Sequence, residues 1–256
     1  RRLREAQTLP PLVRNAQGGA SEVLYGLGSA LSRQGGEDLA LIYLQLARWL
    51  DPEHELATLS LADLYEFLKL PQRAIAVYDD IPPGSPLYRN AQIQRALNLD
   101  LLDKTDDARK VLQDLIAKKP NDLEALQALG NVLRTRKIFA EAAEVYTKAI
   151  ALIPNPDRQH WVYFYFRGIS YERSQQWAKA EADLKRAMEL VPDGNTRGRA
   201  QVLNYLGYSW VDQGINLDEG LRLVRRAVEL TPEDGYIVDS LGWAYYRMGR
   251  FDDAVT

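Results

Sequence analysis

The chain has 256 residues and no cysteine, which excludes disulfides, thiolate nucleophiles and cysteine-ligated zinc. Histidine is almost as scarce, with only His54 and His160, far apart in the chain. Both read as solvated loop residues rather than catalytic ones. No apolar run approaches the ~20 residues that a membrane-spanning helix needs. Neither sign of charge is in excess: 32 Lys+Arg stand against 35 Asp+Glu, for a formal net charge of −3. That balance gives no electrostatic footprint for nucleic acid or for an anionic membrane surface. A Gly-rich phosphate loop, a metal-ligand cluster and a nucleophile–base pair are all missing, so the expectation is no catalytic residue, no cofactor and no metal. The chain opens on Arg1 without a signal-peptide pattern and reads as a trimmed fragment.

What the chain does have is repetition. LGSALSRQG at 27–35 returns as LGNVLRTRK at 129–137, LGYSWVDQG at 206–214 and LGWAYYRMG at 241–249. Each places a glycine in an amphipathic helical pattern, at roughly 1 kcal/mol against alanine. Gly28 and Gly130 are three steps of 34 residues apart, with Ala62 and Ala96 on the steps between. Ala40, Ala74, Ala108 and Ala142 keep the same beat, as do Pro52, Pro86, Pro120 and Pro154. Farther on the marks persist with short slips, at Gly168, Gly207 and Gly242, at Ala180, Gly220 and Ala254, and at Pro192 and Pro232.

The pattern resembles the tetratricopeptide repeat (TPR) family, a 34-residue helix–turn–helix with Leu-Gly, Tyr, Ala, aromatic, Ala and Pro marks. Leu126, Leu129, Gly130, Leu133, Ala142, Tyr146, Ala149 and Pro154 carry it in one unit. Phe164, Gly168, Tyr171, Ala180, Leu184, Ala187 and Pro192 carry it in the next, where Arg167 departs from the usual leucine. The resemblance implies an all-α, right-handed α-α superhelix of about seven units. The frame is 21–54, 55–88, 89–122, 123–156, 161–194, 200–234 and a truncated 235–256, with an extra residue near Ile215–Asn216. Residues 1–20 read as the end of a preceding repeat plus linker, from the spacing of Leu3, Ala6 and Pro11. Small residues are expected where the two helices of a unit approach, with Gly130 facing the segment that bears Ala142. Prolines end second helices, and Asn121 and Asp122 offer an N-cap to the next first helix.

In this family the first helices line the concave face, and positions two, five, nine and twelve of each unit point into it. Those positions nominate a peptide- or protein-binding groove of Asn131, Arg134, Tyr165, Ile169, Glu172, Asn204, Tyr208, Val211, Asp239, Trp243 and Tyr246. Rings supply apolar contact and amides bond an extended backbone. The first three units present Glu22, Tyr25, Leu56, Leu59, Asp63, Glu66, Ile93 and Asp100, an apolar floor with acidic members. Phe164 reads as core, with Trp161 sealing the preceding unit. The Lys, Asn and Arg set with which chaperone-binding members clamp a terminal carboxylate does not occur in three successive units. Tyr25, Ser29, Ser60, Asn90 and Gln94 stand at such positions instead.

The run at 204–255 is similar to C-terminal repeats of TPR proteins of the Gram-negative envelope, including outer-membrane lipoproteins. The implied function is a non-enzymatic interaction scaffold or adaptor for a protein or extended peptide, in assembly or protease-adaptor work. The alternative is the regulatory or substrate-recruiting arm of a larger enzyme. The resemblance favours periplasmic or outer-membrane-associated placement and leaves the cytoplasm open. A broken last unit leaves Leu241, Trp243, Tyr245 and Tyr246 short of cover, so the expectation there is either fraying or self-association with another copy.

Overall fold

The computed structural model of the chain describes Val13 and residues 15–32 and 35–255. Leu3, Ala6 and Pro11 lie outside them. Among the described residues there are fourteen α-helices and no strand. The chain divides after Lys118 into two compact units. The N-terminal unit contains α1 (Ala16–Leu31), α2 (Glu37–Leu50), α3 (Glu55–Phe67), α4 (Pro71–Tyr78), α5 (Tyr88–Leu101) and α6 (Thr105–Lys118). The C-terminal unit contains α7 (Leu123–Thr135), α8 (Phe139–Ala151), α9 (Trp161–Arg173), α10 (Trp177–Leu190), α11 (Thr196–Asp212), α12 (Leu217–Leu230), α13 (Gly235–Arg247) and α14 (Phe251–Ala254). Within each unit, helices pack as sequential pairs, α1 on α2, α9 on α10 and α11 on α12 most extensively. The first helix starts at Ala16, inside the stretch read as linker.

One backbone device makes every turn within a pair. Gly35, Lys69, Asp103, Lys137, Gln175, Gly214 and Gly249 all have positive φ, between 59° and 79°. These are the fifteenth positions of the seven units in the 34-residue frame. The residue that follows each donates its N–H five residues back: Leu70 to Tyr65 O at 2.9 Å, Ile138 to Leu133 O at 2.8 Å, Gln176 to Tyr171 O at 2.8 Å. This left-handed C-terminal closure satisfies carbonyls that the helix end leaves open. Only three of the seven are glycine, so Lys69, Asp103, Lys137 and Gln175 hold a conformation that L-residues disfavour by roughly 1–2 kcal/mol. The extra residue of the sixth unit is Asn216, a second left-handed residue immediately before α12.

Close approach explains the recurrent glycine. A Cβ added at Gly130 would lie 2.7 Å from Tyr146 Cε1 and 2.8 Å from Cζ, so the ring of α8 occupies the space a side chain would need. At Gly28 and Gly168 the obstacle is Leu44 or Leu184, with the carbonyl of Ala40 or Ala180 at 3.3 Å. At Gly207 it is the Gly220 carbonyl, 2.7 Å away. The core of each unit follows from these contacts, around Leu44, Leu61 and Tyr78 in one and Leu184, Leu206 and Trp210 in the other.

Three local expectations are revised and one is extended. His54 is not a solvated loop histidine: it is 8% exposed, and its Nδ1 accepts from Ala57 N at 3.2 Å, capping α3. His160, half-buried, accepts from Asp157 N at 3.1 Å within a short 3-10 turn. Trp161 reaches forward to the following unit. It packs so close to Gly198 of α11 that a Cβ there would lie 2.8 Å from Trp161 Cζ2. The second helix of the second repeat, α4, stops at Tyr78, well ahead of Pro86, because Pro82-Pro83 already prevents its continuation. Elsewhere Phe164 is core and Asp122 caps α7 through Ala125 N at 3.1 Å. Arg167, the departure from leucine, makes a two-pronged pair with Asp183 of α10 at 2.6 and 2.8 Å.

Candidate functional site

The eleven groove residues named from sequence all fall in the C-terminal unit, on its first helices α7, α9, α11 and α13. On α7, Asn131 Oδ1 accepts from the Tyr146 hydroxyl at 2.8 Å. Burial pushes that hydroxyl up to about 12, against the pull of Arg134, so it remains a donor. The Arg134 guanidinium lies 4.3 Å over the Phe166 ring, a cation–π contact that fixes its direction. On α9, Glu172 Oε2 accepts from the Tyr205 hydroxyl at 2.9 Å, and Ile169 packs partly buried against the core.

Three of the eleven do not offer an open face. Val211 is fully buried: its position is filled by a short side chain, over which Leu241 and Trp243 of α13 and Met248 just beyond it close. Tyr165 belongs to the core, with its ring 5.7 Å from Trp161 and edge-on to Tyr205 at 6.1 Å. Asn204 is 4% exposed, and its Oδ1 has no hydrogen-bond partner. An unsatisfied buried acceptor is expensive, and Asn204 carries that cost inside the core rather than at the surface of the groove.

The open part of the face lies around Tyr208, Asp239, Trp243 and Tyr246. Trp243 stacks on Tyr246 with centroids 5.5 Å apart, and its Nε1 donates to Asp212 Oδ1 at 3.2 Å. Arg247 donates to the Asp212 carbonyl at 2.6 Å. Burial raises the Tyr208 hydroxyl, and the charges of Asp212, Asp239 and Glu172 add to the shift, so this tyrosine sits among carboxylates from three helices. Asp239 is exposed, as is Tyr246. Tyr236, 70% exposed, was missed in the groove list although it holds position two of the last unit. Asp212, Tyr205 and Phe166 lie off the four positions, and nothing in the repeat spacing points to them. Among the described residues no group of three or more His, Cys, Asp or Glu is placed to hold a metal ion. No helix among them is long and apolar enough to cross a membrane.

Stacked helix pairs closed by a left-handed residue, with small residues at each crossing, define a helical-repeat scaffold. A family model described as the N-terminal TPR repeats region of Psidin matches residues 60–186. A TPR repeat-containing protein of Pseudomonas aeruginosa is 27% identical over 206 residues, covering 77% of this chain and 32% of its own length. The chain thus spans about a third of that relative. Solved structures with the same fold include a tetratricopeptide repeat protein of Parabacteroides merdae, at 18% identity and TM-score 0.63. That match covers 88% of this chain and 84% of the other. PilF of Pseudomonas aeruginosa matches at 16% identity and TM-score 0.64, over 87% and 97%. The chain is a tetratricopeptide-repeat protein.

Proposed function

We propose that this chain is a non-enzymatic interaction scaffold whose C-terminal unit grips an extended segment of a protein partner along α9, α11 and α13. The observation that carries the reading is the cluster of exposed Tyr236 and Tyr246 with half-buried Tyr208 and Trp243, set on two first helices beside Asp212 and Asp239. An extended peptide has backbone N–H groups to give to the exposed Asp239 carboxylate, and Tyr208, Tyr236 and Tyr246 give its side chains apolar contact. Tetratricopeptide repeats as a class serve protein interaction. The bacterial relative and the envelope-like run at 204–255 support a finer role as an adaptor in assembly or proteolysis at a bacterial envelope.

Alanine at Tyr208, Tyr236 and Tyr246 tests the reading. A partner captured by wild type should be held more weakly, by about 1 kcal/mol or more at any hot spot, with helicity unchanged. Undiminished capture by the triple variant would move the site to another surface.

A further inference from the structure

The first-helix face of the N-terminal unit carries a polar cluster separate from the C-terminal face. Asp63 and Glu66 stand one turn apart on α3, on the same side of the helix. The Tyr78 hydroxyl of α4 lies 3.0 Å from Asp63 Oδ1 and 3.1 Å from Glu66 Oε1. It has one proton for two carboxylates, so it orients both and neutralises neither. Asn98 of α5 donates from Nδ2 to Glu66 Oε1 and to the Gln94 carbonyl, the latter at 2.9 Å. Side chains from two neighbouring helices therefore hold two like charges side by side.

Among the described residues no cation forms an ion pair with either carboxylate. Burial and the Asp63 charge raise the Glu66 carboxyl, while its bonds to Asn98 and Tyr78 only moderate the shift. Lys69 lines the same cleft as Glu66, a space of about 430 Å³ between α3 and α5, yet forms no ion pair with it. An independent sign of a missing ligand is Asn98 itself. It is 2% exposed, it lines that cleft, and its Oδ1 has no partner. Reversing the amide would set its oxygen against Glu66, so the open acceptor is genuine. The two carboxylates and the Asn98 oxygen offer more acceptors than the Tyr78 hydroxyl and the Asn98 amide nitrogen can satisfy.

We propose that this face holds an arginine side chain of an extended protein segment, its guanidinium bonded to Asp63, Glu66 and Asn98. Guanidinium is permanently charged and presents five donors in a plane, which suits several acceptors at once better than the compact ammonium of lysine. Phe67, 63% exposed, and Leu101, 73% exposed, flank the acids and offer apolar surface to the arginine stem and its neighbours.

The test is fluorescence anisotropy with labelled Gly-Leu-Arg-Leu-Gly, its lysine analogue and its uncharged citrulline analogue. The arginine peptide should bind. Citrulline, or the double variant Asp63→Asn/Glu66→Gln, should weaken binding about tenfold or more, because each removes charge-assisted hydrogen bonds; lysine should fall between. The double variant should melt at or above the wild-type temperature, since it relieves a repulsion. Tyr208→Ala and Tyr246→Ala should leave this binding unchanged, which separates it from the C-terminal face. Equal binding of arginine and citrulline peptides would overturn the proposal, and so would a double variant that binds like wild type. A lower melting temperature with undiminished binding would show the acids to be structural. If the double variant does not fold, Asp63→Asn, at an exposed residue, carries the same comparison.

Discussion

Replacing Gly130 by leucine tests the packing rule on which the repeat depends. An added Cβ would lie 2.7 Å from Tyr146 Cε1, below any real carbon–carbon contact, and three further carbons must follow it. The ring cannot swing away cheaply, because Tyr146 is fully buried and its hydroxyl is tied to Asn131. Overpacking of this kind costs about 1–3 kcal/mol. Leucine regains up to about 1 kcal/mol of helix propensity, and a broken Tyr146–Asn131 bond loses about as much. Those two nearly cancel, so the net loss is about 1–3 kcal/mol, read as a lower midpoint in thermal or urea unfolding followed by circular dichroism. The control is Gly26→Ala in α1, where an added Cβ meets nothing within 4 Å. There the propensity gain stands alone, and stability should rise by about 0.5–1 kcal/mol. A Gly130→Leu protein that unfolds with wild type would refute the close-approach account.

Other expectations concern polar contacts. Asp183→Ala removes the main partner of the half-buried Arg167 guanidinium, which keeps Thr147 Oγ1 at 3.2 Å, and should cost about 2 kcal/mol, whereas Arg167→Leu/Asp183→Leu should stay within about 1 kcal/mol of wild type in the same assay. His54→Ala removes the α3 cap and should cost about 1 kcal/mol, with His54→Asn recovering most of it. Glu66 has a carboxyl raised in the folded state, so its contribution falls as pH rises through the carboxylate range. Glu66→Gln should therefore melt above wild type at neutral pH, and the gap should close on acidification. A gap that widens in acid would reverse the sign of the argument.

The architecture was legible because its determinants are short-range and periodic. Glycine, alanine and proline marks recur at fixed spacing, and the helix pair they specify leaves little choice of topology. The left-handed turn was half hidden, since Lys69, Asp103, Lys137 and Gln175 hold a conformation that their residue types do not announce. For the site, position within the repeat gave the helix face but not the depth. Val211 and Asn131 are nominated by the same rule, yet Val211 is covered by α13 side chains while Asn131 keeps an open edge. Depth depends on neighbour size from the next repeat, which no single-unit pattern encodes. Asn98 was invisible for a similar reason. Its unpartnered oxygen arises from where Glu66 and Gln94 place its amide nitrogen, a three-residue coincidence across two helices.

The most direct test of the scaffold reading is site-specific photo-crosslinking with benzoylphenylalanine at Tyr208 or Tyr246 on the first-helix face, against Arg222 on α12. The account predicts adducts with a discrete protein partner from the first two positions and none from Arg222. Adducts from Arg222 alone would contradict it and place recognition on the second-helix surface.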